Sequence, residues 1–310
     1  MSFEEITSAY PNITKLVGED WLRKQLALPY EKRHILGAFL EKVREDKESI
    51  AKLQENMKSE DQVNELKTRI ELLSVWINEL DTLENCLSEL KDEVGLATQL
   101  KKMRSDADGF RSSASEAAFT CYFKERGKMT MFPKIKVGNN TKEPDLSVSL
   151  DERPIFVEIT TPQLAQVLKE KVGEVVPLKQ RGVGQILDEF EENFSEAIEK
   201  EVITSEPIII ALDCSHSEID QYEIEAALFG TPQIELLINK STHELVDDRI
   251  KRKNDGLKMV QKSDMISAVI WAKFFQHKNG TLSIGGNVTE NPRAKNKLTE
   301  KEISKLDFRN

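Results

Sequence analysis

Residues 144–160 constrain the fold more than any other stretch, because two runs of alternating apolar and polar residues flank a short turn. Successive side chains of a strand point to opposite faces, so each run predicts a strand with one aliphatic and one polar face. The turn, residues 151–154, predicts that the two strands pair in antiparallel fashion. The aliphatic positions are Leu146, Val148, Leu150, Val157 and Ile159.

Two acidic residues, Asp145 and Glu158, occupy the non-aliphatic faces of these neighbouring strands. Carboxylates held close together repel each other unless a cation lies between them. Mg²⁺ prefers oxygen ligands, so the pair predicts a hard-metal site. The spacing also leaves open that Asp145 caps the end of a strand and that Glu158 points into water.

The composition limits the classes of function that the chain can serve. Its 310 residues are enough for a sizeable core and for two domains. The net charge of −10 argues against a protein that coats nucleic acid indiscriminately, although it leaves room for local basic patches.

The apolar runs, the N-terminus and the cysteines together indicate the compartment of the protein. No run approaches the roughly 20 apolar residues that span a bilayer, and the first residues lack the basic and apolar regions of a signal peptide. We therefore expect a cytoplasmic protein with no membrane partner. Cys86, Cys121 and Cys214 make no zinc-binding spacing with the four histidines, so they are expected to be reduced, buried thiols. Any metal site must then be built from oxygen ligands.

Residues 31–93 carry a long helical pattern, since apolar residues recur every three or four positions with no proline between residues 35 and 100. The pattern falters near Ser59 and Gln62, which have the spacing of a helix-capping box. We predict helices at about 31–57 and 60–93, folded back as an antiparallel coiled-coil hairpin.

This hairpin is expected to serve either as an extension packed on its own domain or as the surface of a homodimer. A clamp for a partner or for DNA is the remaining alternative, although acidic residues match or exceed basic ones along most of its length. The small polar stretch 105–109 is the best boundary signal. We therefore divide the chain into a helical domain, residues 1–105, and a second domain, residues 106–310.

The second domain begins with a helical pattern at residues 110–126, which has a face of small residues. Residues 207–213 form an apolar run expected of a strand buried on both faces. The elements predicted between them are strands at 129–137, 143–150 and 153–160 and helices at 163–172 and 181–201. Helix, three strands, helix and strand in this order indicate an α/β three-layer core.

The C-terminal third adds a helix at 217–229, a hairpin of strands at 266–275 and 281–288, and a last helix at 300–306. Its densest basic stretch, residues 249–254, is open to two interpretations, phosphate contact or a solvated loop. A second basic cluster flanks the first predicted strand and would guide a polyanion towards the carboxylates. That cluster consists of Lys124, Arg126, Lys128, Lys134 and Lys136.

Three positions in this domain together resemble the PD-(D/E)XK nuclease superfamily: Glu116, Pro144-Asp145 and Glu158-Ile159-Thr160. The predicted order of elements across residues 110–215 is similar to the core of that family as well. The resemblance implies a restriction-endonuclease-like three-layer fold with a mixed sheet. It also implies a Mg²⁺-dependent DNA endonuclease, of the restriction or defence type, that hydrolyses phosphodiester bonds with metal-activated water.

The site residues of the family carry over position by position. Asp145 and Glu158 would coordinate Mg²⁺ or Mn²⁺, helped by the main-chain carbonyl of Ile159. Glu116 would hold a metal-bound water or complete the shell. With Thr160, these residues make up the implied catalytic site. The implied partner is nucleic acid, with DNA expected before RNA.

The chain departs from the family pattern at Thr160, where the family has a lysine. Lysine would orient the attacking water and neutralise the charge of the reacting phosphate, whereas a threonine hydroxyl can only hydrogen-bond. Either another lysine has taken over this role, or the site has lost catalysis; the candidate lysines are Lys136, Lys171 and Lys179. The second alternative is a catalytically inactive protein of the same fold that acts as a nucleic-acid-binding or protein-interaction scaffold.

Overall fold

A computed structural model describes most of the chain. The described residues are 3–29, 32–56, 60–105, 109–137, 140–162, 185–186, 206–215, 219–230, 232–238, 245–252, 265–276 and 282–308. They fall into two compact units, one within Met1–Glu125 and Lys273–Gly285, the other within Arg126–Pro162, Gln180–Ala272 and Gly286–Asn310. The domain boundary expected between residues 105 and 106 stays a prediction.

The first unit is helical. Its helices are α1 (Phe3–Ala9), α2 (Pro11–Val17), α3 (Glu19–Ala27), α4 (Ile35–Asn56), α5 (Glu60–Leu90), α6 (Leu96–Ser105) and α7 (Gly109–Lys124). The two long helices predicted from the heptad-like pattern are confirmed as α4 and α5, which pack against each other as a hairpin. Ser59 of the predicted capping box lies outside the described residues.

The carboxylate of Glu84, on α5, holds the start of α2. Its oxygens accept hydrogen bonds from the backbone N–H groups of Asn12 and Ile13, at 2.7 and 2.8 Å. The first N–H groups of a helix have no partner within the helix, and a carboxylate there also interacts favourably with the helix dipole. The residue before α2, Tyr10, makes no capping hydrogen bond with its side chain. Glu84, which is distant in the sequence, therefore caps the N-terminus of α2 instead.

Helix α7 is buried on nearly every side. Of the small residues predicted to face a neighbour, Ala117, Ala118 and Cys121 are buried and Ala114 is half-buried, and the aromatic face is buried as well. Phe119 contacts Phe274 edge-to-face with ring centroids 5.0 Å apart. A helix with apolar residues all round belongs in a core, so α7 is a central element of the first unit rather than a surface helix.

The second unit is a mixed α/β structure. Its elements are β1 (Lys128–Met131), β2 (Ile135–Val137), β3 (Asn140–Lys142), β4 (Leu146–Asp151), β5 (Arg153–Thr160), β6 (Ile208–Asp213), α8 (Gln221–Phe229), β7 (Pro232–Ile238), β8 (Leu245–Arg252), β9 (Ile266–Gln276), β10 (Leu282–Glu290) and α9 (Glu300–Leu306). The end of β9 from Lys273 and the start of β10 up to Gly285 are counted with the first unit. Six strands form one sheet in the order β1-β4-β5-β6-β9-β10. Within the described residues, β2 pairs with β3 and β7 pairs with β8 as separate ribbons.

The sheet is antiparallel on one side and parallel in the middle. Strand β4 runs antiparallel to β1 and β5, whereas β6 runs parallel to both β5 and β9. Parallel neighbours need a crossover of a dozen or more residues, and residues 161–207 supply one between β5 and β6. The helices predicted at 163–172 and 181–201 lie outside the described residues, except that residues 185–186 are helical.

The predicted strand at 129–137 is wrong as a single element. Strand β1 ends at Met131, Phe132 adopts a positive φ of 48°, and β2 resumes at Ile135 as part of a separate ribbon. Pro133 explains the break, since proline has no N–H to donate and restricts the residue before it.

The other strand predictions are largely confirmed. Leu146, Val148 and Leu150 are buried on β4, and β6 is buried along its length up to Leu212. The hairpin of β9 and β10 and the last helix, capped by Thr299, are also confirmed. The basic stretch that the sequence left open as a phosphate contact or a solvated loop contributes its first four residues, 249–252, to β8, because those residues pair with β7.

In the part of the chain that the structure describes, no helix is long and apolar enough to cross a membrane.

Candidate functional site

Asp145 and Glu158 lie across from each other at one end of the β4–β5 pair. Leu146 pairs with Val157, and the same register continued by one residue puts Asp145 opposite Glu158. Residues directly opposite in antiparallel strands have Cβ atoms about 5 Å apart and project from the same face. The register is therefore compatible with two carboxylates on one face of neighbouring strands, and a shared site of Asp145 and Glu158 stays a prediction.

The Asp145 side chain is buried and makes a hydrogen bond to the neighbouring strand. Its Oδ2 accepts the backbone N–H of Ile159 at 2.9 Å. This is the strand-capping role that the sequence left open for Asp145. A carboxylate offers about four lone-pair directions, so the bond orients the group and leaves it able to hold a cation as well.

The backbone of Asp145 is held from the opposite side. Its carbonyl oxygen accepts the N–H of Phe132 at 2.9 Å, one residue beyond the end of β1. Asp145 is thus tied to β1 through its main chain and to β5 through its side chain. The contact with Phe132 was missed in the sequence, where Pro133 within an apolar run was the available signal.

Glu158 lies on β5 between the carboxylate of Asp145 and an apolar cluster. It is partly exposed and pairs in register with Ile210 of β6. Ile210 belongs to a buried cluster on that face of the sheet, and Phe156 packs against the same cluster. Apolar surroundings lower the local dielectric, which strengthens the attraction between a carboxylate and a cation.

Thr160 ends β5 on the same face as Glu158, paired with Leu212 of β6. Two of the lysines considered as substitutes for the family's lysine, Lys171 and Lys179, lie outside the described residues. The third, Lys136, lies on β2, and the structure describes its backbone but not its side chain. That one of these lysines takes the role of the lysine missing at Thr160 therefore stays a prediction.

Glu116 belongs to the helical unit, on α7, whereas Asp145, Glu158 and Thr160 belong to the second unit. The Glu116 side chain is buried, and Ser112 Oγ donates to its Oε1 at 3.5 Å. Its participation in one site with the other three residues stays an expectation from the family pattern.

The available ligands suit a hard cation. Among the described residues, no three His, Cys, Asp or Glu side chains gather into a metal-holding group. Two carboxylates alone are a sufficient protein contribution for Mg²⁺, which keeps several waters and commonly completes its octahedron with substrate phosphate oxygens. Asp145 and Glu158 offer oxygen ligands, the kind that Mg²⁺ or Mn²⁺ prefers, and a metal ion bound by them stays a prediction.

Parts of the basic cluster are already neutralised. Lys124 Nζ lies 2.7 Å from Glu93 Oε1, and Lys134 Nζ lies 3.9 Å from Glu143 Oε1. On β8, Arg249 pairs in register with Glu235, while Lys251 is exposed. Exposed ion pairs lower the net positive charge offered to a polyanion, so Lys124 and Lys134 contribute less to steering than the sequence predicts.

Comparison of the chain with protein-family models, curated proteins and solved structures finds no match. The function is therefore inferred from the residues and geometry of the chain itself.

Proposed function

We propose that the protein is a Mg²⁺-dependent DNA endonuclease of the restriction or defence type, in which Asp145 and Glu158 hold the ion. The observation that carries the proposal is the register of the antiparallel pair β4–β5, which, continued one residue beyond Leu146 and Val157, brings Asp145 opposite Glu158. Asp145 is buried, and two carboxylates on neighbouring strands repel each other unless a cation lies between them.

The order and direction of the strands give independent support. Helix α7 is followed in the chain by β1, β4, β5 and β6, with two antiparallel pairings and then a parallel one. This is the element order of the restriction-endonuclease-like core that the motif implies. We infer that the mixed α/β structure belongs to that fold.

The chemistry would be hydrolysis of a phosphodiester. Mg²⁺ bound between the two carboxylates would polarise the scissile phosphate and lower the pKa of the attacking water. Ile159 N–H orients the Asp145 carboxylate, and Glu158 is half-buried, with its Oε2 atom shielded from solvent. The hydroxyl of Thr160 can donate one hydrogen bond to a phosphate oxygen or to water, but it adds no positive charge.

The test compares the full chain with two isosteric variants, Asp145→Asn and Glu158→Gln. Cleavage of plasmid DNA is measured with Mg²⁺, with Mn²⁺ and with EDTA. Each variant should lose about 100-fold or more in rate, because it removes an anionic ligand while keeping its shape. Glu152→Gln is the matched control, since Glu152 is an exposed carboxylate in the turn of the same hairpin. Full cleavage by the Asp145→Asn/Glu158→Gln double variant would refute the proposal.

A nucleic-acid-binding scaffold without catalysis is the second candidate. Two observations favour it: Thr160 stands where the family has its lysine, and the Asp145 carboxylate caps a strand. This candidate predicts that the chain binds DNA equally well with Mg²⁺ or EDTA, by fluorescence anisotropy, and cleaves none with any divalent metal. Metal-dependent cleavage by the wild-type chain would exclude it.

A further inference from the structure

Phe132 has a backbone conformation that is unfavourable both for phenylalanine and for a residue that precedes proline. Its φ of 48° is in the left-handed region, which glycine adopts readily and other residues avoid. The next residue, Pro133, further restricts the backbone of the residue before it, towards extended conformations. Conformations of this kind persist where surrounding contacts hold them, and they concentrate at functional sites.

The contact that accompanies this conformation is the hydrogen bond from Phe132 N–H to the carbonyl of Asp145, at 2.9 Å. It continues the β1–β4 ladder by one residue beyond the pair of Met131 and Leu146. After it the chain leaves the large sheet, because the next strand, β2, pairs with β3. The positive φ therefore marks the point where the chain makes a last bond to Asp145 and turns away.

Asp145 lies one residue before β4, which begins at Leu146, so hydrogen bonds outside that strand hold it in place. Its preceding residue is Pro144, which has no N–H to donate. Its main chain is tied to Phe132 and its Oδ2 to Ile159 N–H. Loss of the first bond would release the backbone from which the carboxylate reaches β5.

We propose that Phe132 is a positioning residue for Asp145, whose carbonyl it holds through its left-handed backbone so that the carboxylate points to β5, across from Glu158. The role of this positioning in metal binding rests on the proposed function. The positioning itself is a property of the structure that can be measured without metal.

Two substitutions separate the backbone of Phe132 from its ring. Phe132→Gly keeps the left-handed conformation accessible and removes the ring, whereas Phe132→Val disfavours that conformation because valine is β-branched. Glu152→Val is the matched control. Glu152 is the other non-glycine residue with a positive φ in the described part of the chain, at 75°, and it lies at the turn end of the same β4–β5 hairpin.

The primary measurement is amide hydrogen exchange by NMR without metal, at Ile159 relative to Val157 on the same strand. In Phe132→Val the Ile159 amide should exchange about 10-fold faster relative to Val157, the effect of weakening one hydrogen bond. Phe132→Gly and Glu152→Val should leave the ratio unchanged. An unchanged ratio in a folded Phe132→Val variant would overturn the proposal, as would a loss of Ile159 protection in Phe132→Gly.

If Phe132→Val does not fold, Phe132→Gly alone tests the positioning role. Unchanged protection of the Ile159 amide in that variant supports positioning by the Phe132 backbone, and faster exchange refutes it.

A second measurement, Mn²⁺ affinity, connects the positioning of Asp145 to the proposed metal site. Phe132→Val should bind Mn²⁺ about 10-fold more weakly, as for other residues that orient a metal ligand. A wild-type chain with the expected exchange pattern and no Mn²⁺ binding would contradict the proposed function and leave the positioning role standing.

Discussion

Arg153 and Glu302 join the turn of the β4–β5 hairpin to the last helix through two parallel hydrogen bonds. Arg153 Nε donates to Glu302 Oε1 at 2.8 Å, and Nη2 donates to Oε2 at 2.7 Å. The Glu302 side chain is fully buried and also completes the capping box with Thr299. The hairpin that carries Asp145 and Glu158 is thus anchored at its far end by residues almost 150 positions away.

We expect Arg153→Met to destabilise the protein by about 2–3 kcal/mol, because it leaves the buried Glu302 carboxylate without its cation. Urea unfolding measures the change. Lys301→Met is the control: Lys301 pairs with Asp151 beside the same turn, but it is well exposed and should cost less than about 1 kcal/mol. Equal losses in the two variants would contradict the assignment of Arg153 as an anchor.

The contact between Arg153 and Glu302 also predicts how the stability of the protein depends on pH. Burial alone would raise the pKa of Glu302, but hydrogen bonds from Arg153 and Thr299 outweigh it and hold the pKa below its usual value. The unfolded chain therefore binds more protons, so this stabilisation is present above the unfolded pKa of about 4.3 and is lost as pH falls through the folded pKa. The stability difference between wild type and Glu302→Gln should shrink below about pH 4.3. A difference that stays constant down to acid unfolding would contradict this.

The capping of α2 by Glu84 leads to a separate prediction for the helical unit. Glu84→Ala should cost about 1–2 kcal/mol, because it leaves the N–H groups of Asn12 and Ile13 without their acceptor. Hydrogen exchange in α2 should quicken more than exchange in α5. Glu65→Ala is the control, since Glu65 is on α5 as well and forms an ion pair with Arg69 at an exposed position. Equal effects of the two variants on α2 would refute the capping role.

The cysteines should be unreactive in the folded protein. All three are buried, and Cys121 Sγ–H donates to the carbonyl of Cys86 at 3.6 Å. The hydrogen bond with Cys86 and burial raise the pKa of the Cys121 thiol, which suppresses the reactive thiolate. A thiol reagent such as DTNB should label no cysteine within minutes in buffer and all three in denaturant. Rapid labelling of the native chain, with Cys121→Ser as the comparison, would contradict this burial.

Much of the fold could be predicted because its signals are local. The alternation of Leu146, Val148 and Leu150 with polar residues specifies a strand, its faces and the place of Asp145. The capping box of Thr299 specifies the start of α9 in the same way. The end of β1 at Met131 was not predicted, because a run of apolar residues outweighed Pro133 in the pattern. The burial of both faces of α7 was also missed, since burial depends on neighbours that are distant in the chain.

The sequence by itself determined which residues are candidate carboxylate ligands, which faces of the predicted strands they occupy, and that a threonine, Thr160, stands where the PD-(D/E)XK pattern it resembles has a lysine. Tertiary structure alone decided the register of β4 against β5, the hydrogen bonds that Asp145 accepts from the N–H groups of Phe132 and Ile159, and the contact of Arg153 with Glu302. The physical reason is that side-chain periodicity follows from local backbone geometry, whereas register, orientation and anchoring depend on partners brought together only when the chain folds.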